Sequence, residues 1–239
     1  MSKLNGAQIT WLGHATFKVT SPQGKVILID PWITGNPAYP ENQKSFDRVD
    51  LMLTTHGHAD HIADAVAIAK QHRPTVVGMV ELVNWFGSQG VENLVDLNKG
   101  GSETIQGITV TLTHALHSSS FTVNNQAIYL GEAASFVIRL ENGLKIYHAG
   151  DTTVFSDMQL IGELYAPDIA LLPIGDHYTM GPREAAVSLR LLGVKQVIPM
   201  HFGTFPLLKG TPAALREELQ RLGLGDVEVI ELKPGQTLS

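Results

Sequence analysis

Ten histidines stand in a chain of 239 residues that has no cysteine, and three of them fall within six positions, His56-Gly57-His58-Ala59-Asp60-His61. Donors at that density, directly after the short apolar run 50–54, are hard to explain by packing. If the segment is extended, His56 and His58 project together, because alternate side chains share a face. Asp60 and His61 then open a helix where the chain turns, so one loop can serve two neighbouring centres. Neutral imidazole and carboxylate are ligands that Zn²⁺ and similar divalent ions accept. Without cysteine there is no thiolate site, disulfide framework or cysteine nucleophile to compete with that chemistry. A polar surface loop with a helix-capping Asp60 is the plainer alternative, and the density of the motif speaks against it.

The elements that must hold such a loop are legible as periodicity. Residues 8–12, 16–20 and 25–30 read as strands, with a turn at Ser21-Pro22-Gln23-Gly24. A Pro/Gly-rich loop, 31–46, leads to the buried strand 50–54. A helix is expected over 61–72, with Ile62, Val66 and Ala69 on one face and Pro74 as its stop. Segments 75–78, 93–97 and 108–113 read as further strands. The second half repeats the order. A hairpin, 136–140 and 144–148, turns at Glu141-Asn142-Gly143. A short apolar strand, 168–173, runs into Gly175-Asp176-His177 as 50–54 runs into His56. A helix opens at Pro182, followed by a strand at 196–200, a last helix at 212–222 and a strand at 227–232. The expectation is one α/β domain over 1–239 made of two similar halves, about 1–120 and 121–239, with two sheets packed together and helices outside.

Composition narrows the partners. The chain is 44% hydrophobic and 17% charged, with a formal charge of −6, an ordinary globular composition. That charge disfavours a nucleic-acid surface, which calls for clustered Lys and Arg. No apolar stretch approaches the ~20 residues of a membrane span, and residues 1–10 lack the basic-then-apolar order of a signal peptide. A cytoplasmic protein is expected.

His-x-His-x-Asp-His after a strand resembles the signature of the metallo-β-lactamase superfamily. Three further segments look like its remaining motifs, in the expected order: Ala115-Leu116-His117-Ser118, Tyr147-His148-Ala149-Gly150-Asp151-Thr152 and Pro199-Met200-His201-Phe202-Gly203-Thr204. Trp11-Leu12-Gly13-His14-Ala15, Ile29-Asp30-Pro31 with Gly35-Asn36-Pro37, and Pro173-Ile174-Gly175-Asp176 resemble a bacterial and archaeal branch of metal-dependent hydrolases. That branch is similar to the ascorbate-6-phosphate lactonases and to N-acyl-phosphatidylethanolamine phospholipase D. The resemblance implies an αββα sandwich of two mixed sheets. It implies two divalent metal ions, one on His56, His58 and His117, the other on Asp60, His61 and His201, with Asp151 bridging. Zinc suits these ligands; manganese, iron, cobalt or nickel fit too. Two such ions bring +4 against −2 from the carboxylates, which lowers the pKa of a bridging water toward ~7 in the zinc case.

Other residues carry weaker expectations. His117 is preferred to His114 because it directly precedes Ser118 in the family-like segment. His14 is expected behind the metal ligands or against substrate, and Asp30 either orients a ligand imidazole or simply starts a turn before Pro31. Asn36, Ser118 and Asp176 join them as candidates around the substrate. His148 is structural or supports a ligand, and His72 ends a helix where a cation suits the dipole. His177, with Asp60 and Asp151, is a candidate catalytic group, as proton donor to the leaving group. A serine nucleophile is discounted, since no Gly-x-Ser-x-Gly elbow is present. The pocket is expected over the metals, walled by loop 31–46, segment 118–134 and the His177 loop.

The resulting expectation is a metal-dependent hydrolase. Its hydroxide, bridging two ions, would cleave an ester, lactone or phosphodiester bond of a small or medium-sized substrate, with an amide as a third class. A nuclease would want an added basic module. An oxidoreductase or a metal-binding protein on the same scaffold is the other alternative. The oxygen-reducing branch generally replaces ligand histidines with carboxylates, whereas position 58 is histidine, and no flavin domain fits in the chain. Relatives often assemble, so a homo-oligomer is possible.

Overall fold

The computed structural model describes residues 4–239; the first three positions of the segment read for a leader lie outside them. Strands β1 (Gln8–Trp11), β2 (Phe17–Thr20), β3 (Val26–Ile29), β4 (Leu51–Thr54), β5 (Thr75–Met79) and β6 (Leu94–Leu97) lie side by side in chain order. Then β7 (Ser102–Ile105) and β8 (Ile108–His114) start a second sheet. Strands β9 (Ser120–Val123) and β10 (Gln126–Tyr129) form a separate hairpin. The second sheet continues with β11 (Ala134–Arg139), β12 (Lys145–His148), β13 (Ile169–Pro173), β14 (Gln196–Met200) and β15 (Glu228–Val229), and β16 (Thr237–Leu238) returns to pair with β1. The two seven-stranded sheets share one pairing order. Three antiparallel contacts are followed by three parallel ones, along β16-β1-β2-β3-β4-β5-β6 and along β7-β8-β11-β12-β13-β14-β15.

Period-two alternation decides which core each side chain enters. Phe136, Ile138, Leu171 and Ile198 join the first sheet's Ile9, Ile27, Leu51 and Val77 in a core between the sheets. Their neighbours Val137, Ala170, Leu172 and Val197 face the other way, into a second core. There they meet Ile161 of α4 (Met158–Tyr165), Leu189 of α5 (Pro182–Leu192) and Leu215 of α6 (Pro212–Arg221). Helices α1 (Ala59–Ile62), α2 (Ala65–His72) and α3 (Val80–Ser88) follow strands of the first sheet, and their Ile62, Ile68, Leu82 and Phe86 belong to the same contiguous cluster.

Several expectations are corrected. The helix expected over 61–72 starts earlier and is broken in two. The Asp64 N–H donates to Pro31 O at 3.2 Å rather than continuing the helical ladder, and its carboxylate takes the Ile33 and Thr34 N–H groups. Helices α3 and α4 lie where no element was read. The strand expected at 227–232 is only Glu228–Val229. Segment 118–134, expected as a wall of the pocket, contains the β9–β10 hairpin, turned by Asn124 and Asn125 in left-handed conformations. The chain passes to the second sheet between β6 and β7. No helix among the described residues is long and apolar enough to cross a membrane.

Candidate metal centre

Strand β4 is buried along its whole length and delivers Thr55 and His56 into the interior. Gly57 lets the chain pass beneath Leu130, where an added Cβ would lie 2.6 Å from Leu130 Cδ1. Its N–H donates to Ser119 Oγ at 3.1 Å. His58 precedes α1 in an extended conformation and makes no capping bond with its side chain, which leaves the ring for the site. Asp60 and His61 occupy the first turn of α1. From the other sheet, β12 ends in Ala149-Gly150-Asp151. Gly150 sits at φ +58, and a Cβ there would lie 2.8 Å from Thr55 Cβ, so this close crossing of the two sheet edges needs glycine.

The side chains converge on one atom. Asp151 Oδ2 lies 3.0 Å from His201 Nε2, 3.3 Å from His61 Nε2, 3.6 Å from His117 Nε2 and 3.9 Å from His56 Nε2. His56 Nε2 is 3.0 Å from His58 Nδ1. The donors fall into three overlapping sets whose atoms lie within 4.8 Å of one another: His56, His58 and His117; His14, Asp60, His61 and His201; and Asp30, His56 and His61. All seven residues read as ligands are therefore brought together. His114 is elsewhere, its Nδ1 2.9 Å from Lys99 Nζ and its ring edge-on to Phe155.

Hydrogen bonds behind the cluster place the imidazole protons. Asp30, fully buried, accepts from Thr55 N–H at 2.8 Å, from Thr55 Oγ1 at 2.6 Å and from His61 Nδ1 at 2.8 Å. Thr55 Oγ1, having given its proton to Asp30, accepts from His56 Nδ1 at 3.0 Å. One carboxylate thus holds the Nδ1 protons of His56 and His61, leaving their Nε2 atoms turned toward Asp151. A second relay runs from Thr204 Oγ1 to His14 Nδ1 at 3.0 Å, and from His14 Nε2 to Asp60 Oδ2 at 3.1 Å. Burial pushes His14 down to about 4, so it is a neutral donor to Asp60. His148, also lowered by burial, donates from Nε2 to Ala15 O and accepts the Gly150 N–H, tying the Asp151 turn to the first half.

Electrostatics follow the same geometry. Burial, reinforced by His61, lowers His56 well below the usual imidazole value. His61 feels burial downward, but Asp151 and Asp30 outweigh it and raise it well above the usual value. Burial pushes the Asp151 carboxyl up, and His201 and His61 more than reverse that, leaving it well below the carboxylate range. Asp60 is held low, its burial opposed by the His14 hydrogen bond and by His61. His14, Asp30 and His201 adopt left-handed φ of 54°, 46° and 55°, a sparsely populated conformation for residues with a Cβ. Such strain gathers where surrounding structure over-determines a site.

Other candidates are not brought in. Asn36 closes its own loop, donating to Trp32 O and accepting from Ala38 N–H. Asp176 is exposed and accepts the His177 N–H, and the exposed His177 ring rests on Tyr178, 4.4 Å between centroids. The contacts described for these three residues do not reach the cluster. Ser118 Oγ is 3.4 Å from His58 Nε2 at the exposed mouth. A groove of about 510 Å³ between α4 and α5, lined by Gln159, Gly162 and Arg190 among others, includes no residue of the cluster. Sequence reasoning missed Thr55, Ser119 and Thr204 as supports. Each is a hydroxyl within three residues of a proposed ligand, and that adjacency was the available signal.

The cluster fits divalent ions. His61 Nε2, His201 Nε2 and Asp151 Oδ1 are buried and make no well-aligned hydrogen bond, although two of them flank Asp151 Oδ2. Buried polar atoms rarely stay unpaired, and lone pairs aimed at shared space rather than at protons are what a cation requires.

Comparison with known proteins agrees with this geometry. Residues 25–202 match the model of the beta-lactamase superfamily domain. A UPF0173 metal-dependent hydrolase of Koribacter versatilis is 52% identical over 236 residues, covering 99% of both chains. One from Rubrobacter xylanophilus is 52% identical, covering 98% of this chain and 97% of its own. Among solved structures, Igni18, described as a novel metallo hydrolase from the hyperthermophilic archaeon Ignicoccus hospitalis, superposes with a TM-score of 0.83 at 37% identity, covering 97% of each chain.

Proposed function

This chain belongs to the beta-lactamase superfamily, within the family of UPF0173 metal-dependent hydrolases, and we propose that it hydrolyses an ester, lactone or phosphodiester bond with two divalent ions in the cluster. His56, His58 and His117 would hold one ion, and Asp60, His61 and His201 the other, with Asp151 shared by both sets. The carrying observation is the position of Asp151 Oδ2, 3.0–3.9 Å from four imidazole nitrogens drawn from both halves of the chain. When bound, such a pair of ions, zinc by the preference of its ligands, supplies water of lowered pKa and a Lewis acid for the scissile group.

The chain's own residues do the rest. Asp30 and Thr55 keep the His56 and His61 lone pairs turned inward, and the His14–Thr204 pair holds one oxygen of Asp60. Asp60 is the cluster's carboxylate that reaches solvent, about a third exposed against almost complete burial of Asp151. It takes the proton of the attacking water and passes it to the leaving oxygen. The water oxygen bonds to the acyl carbon or phosphorus, the bond to the leaving oxygen breaks, and that oxygen departs protonated. His177, exposed on its loop, has no part in this transfer.

The test is a screen of metal-replete protein on lactones, activated esters, phosphodiesters and acyl amides, with chelator-stripped protein beside it. Turnover that disappears on stripping and returns with added metal is expected. Metal-loaded protein inert on every class would contradict the reading.

A further inference from the structure

Two properties of the site's mouth, its charge and its exposed apolar groups, point to one substrate class. The segments that leave the site edge are residues 12–16, 30–36, 55–64, 115–133, 149–157, 174–181 and 201–211. They hold Lys209 and no other Lys or Arg, of the chain's 17, against seven Asp and Glu, of which Asp60 and Asp151 are read as ligands and Asp30 is buried. A phosphodiester keeps its negative charge through binding, and proteins meet such groups with Arg forks and Lys ammonium groups. Outside the metal cluster this rim offers almost none: Lys99, at the edge of it, is already paired with Glu132.

The same segments carry exposed apolar groups. Leu116, Val123, Tyr129, Tyr178 and Leu207 are five of the seven large apolar side chains that stand exposed among the described residues; the other two, Leu160 and Leu164, are on α4. Scattered exposed apolar residues are ordinary, but three of these are tied to the cluster and to one another. Leu116 precedes His117, and its N–H donates to Thr152 Oγ1, next to Asp151. Met180 N–H donates to Thr152 O, closing the Tyr178 turn against that same residue. Gly210 N–H donates to Gly175 O and joins the Leu207 segment to the Tyr178 turn. Phe205 of that segment packs 5.7 Å from the His14 ring and 5.8 Å from Trp32. Backbone bonds thus join the Leu116, Tyr178 and Leu207 segments into one chain of neighbours running from His117 to His14.

We propose that the substrate is uncharged, an ester or lactone rather than a phosphodiester, and carries an apolar group that lies against Leu116, Tyr178, Leu207 and Phe205. This rests on the hydrolase reading above and narrows it. Full burial of one methylene favours binding roughly fourfold, and a rim that stays partly wet gives about twofold per methylene.

Two arms test it on the metal-replete protein. In the first, kcat/KM is measured for γ-lactones with side chains from methyl to heptyl and for bis(4-nitrophenyl) phosphate. The expected result is a rise of about twofold per methylene, carried by KM, with the phosphodiester at least about 100-fold slower than the long-chain lactones. In the second, calorimetry follows n-alkyl hydroxamates of the same lengths, which report the rim without turnover. The double variant Leu116→Ser/Leu207→Ser should keep its metal and lose the length dependence in both arms.

Hydrolysis indifferent to chain length, or preference for the phosphodiester, overturns the proposal and leaves the hydrolase reading standing. Length-dependent hydroxamate binding without any turnover upholds the rim and sinks the hydrolase reading. A double variant that changes only oligomeric state, with the length dependence intact, identifies the rim as a contact between copies and overturns the proposal.

Discussion

The turns after β4 and after β13 occupy the same place in their sheets. Each strand is buried and lies between two parallel neighbours, and each turn carries histidine. Yet His56 and His61 are wholly buried at the cluster, while His177 stands in solvent. The first turn is crossed by side chains: Leu130 over Gly57, Ser119 on its N–H, and Asp30 from the end of β3 on Thr55 and His61. The second is met mainly by backbone. Gly175 lies against the His201 carbonyl and receives the Gly210 N–H, after which Asp176 and His177, both left-handed, carry the chain outward. A strand end offers a place for chemistry, and a buried carboxylate from the neighbouring strand turns that place into a site.

The comparison breaks most directly at the ligands themselves. His117→Ala should lose at least one ion and reduce kcat/KM by about a thousandfold or more, as expected when a metal that generates the nucleophile is removed. His114→Ala, three residues away, should keep both metal content and rate. Elemental analysis and kinetics read both, and reversed results would move the site to the wrong histidine.

Asp30 is the buried carboxylate that the second turn lacks, so Asp30→Asn tests what it adds to the first. An amide cannot accept from Thr55 and His61 as the carboxylate does, and metal affinity should fall about 10–100-fold with the fold retained. Competition with a chelator of known affinity measures it. Unchanged affinity would reduce Asp30 to a turn residue before Pro31.

Acid probes the His14 relay. With its folded value at about 4 and an unfolded value near ~6.5, His14 binds its proton first in the unfolded chain. The folded state therefore loses up to about 3 kcal/mol through this group as pH falls from 6.5 to 4. His14→Gln can donate to Asp60 and accept from Thr204 without titrating. Metal-free His14→Gln should therefore show a shallower decline of its urea midpoint across that window than metal-free wild type. Parallel declines would mean that His14 is not held neutral.

The smallest effect is expected at the outward turn. His177→Ala should leave kcat within about twofold even for poor leaving groups, since positioned proton transfer is worth ~10²–10⁴-fold and an exposed ring on Tyr178 is not so positioned. A hundredfold loss confined to poor leaving groups would show that this loop closes on the substrate.

What could be read in the sequence divides along the same line. Strand β14 was legible to the residue because Gln196–Met200 is a short apolar run between a helix with clear punctuation and a histidine. Helix α5 was legible because Pro182 opens it and Gly193 follows it. The break between α1 and α2 was not legible, because it depends on Asp64 reaching back to Ile33 and Thr34, a contact across some thirty residues. Helices α3 and α4 were passed over because Gly87 and Gly162 weaken their pattern, and Gly162 is there for a close helix crossing, its Cβ position 2.5 Å from Leu192 O. The dense His56–His61 motif announced its donors. Asn36, Asp176 and His177 looked equivalent by segment, and only packing separates a side chain that faces the cluster from one that closes its own turn.

If Asp151 stands between two ions, the metal content of the intact chain will show it. Elemental analysis after gentle purification, followed by calorimetric titration of the stripped protein, should give about two divalent ions per chain. Absence of metal with no uptake on reconstitution, or saturation at one ion with Asp60 and His201 dispensable for it, would contradict the account.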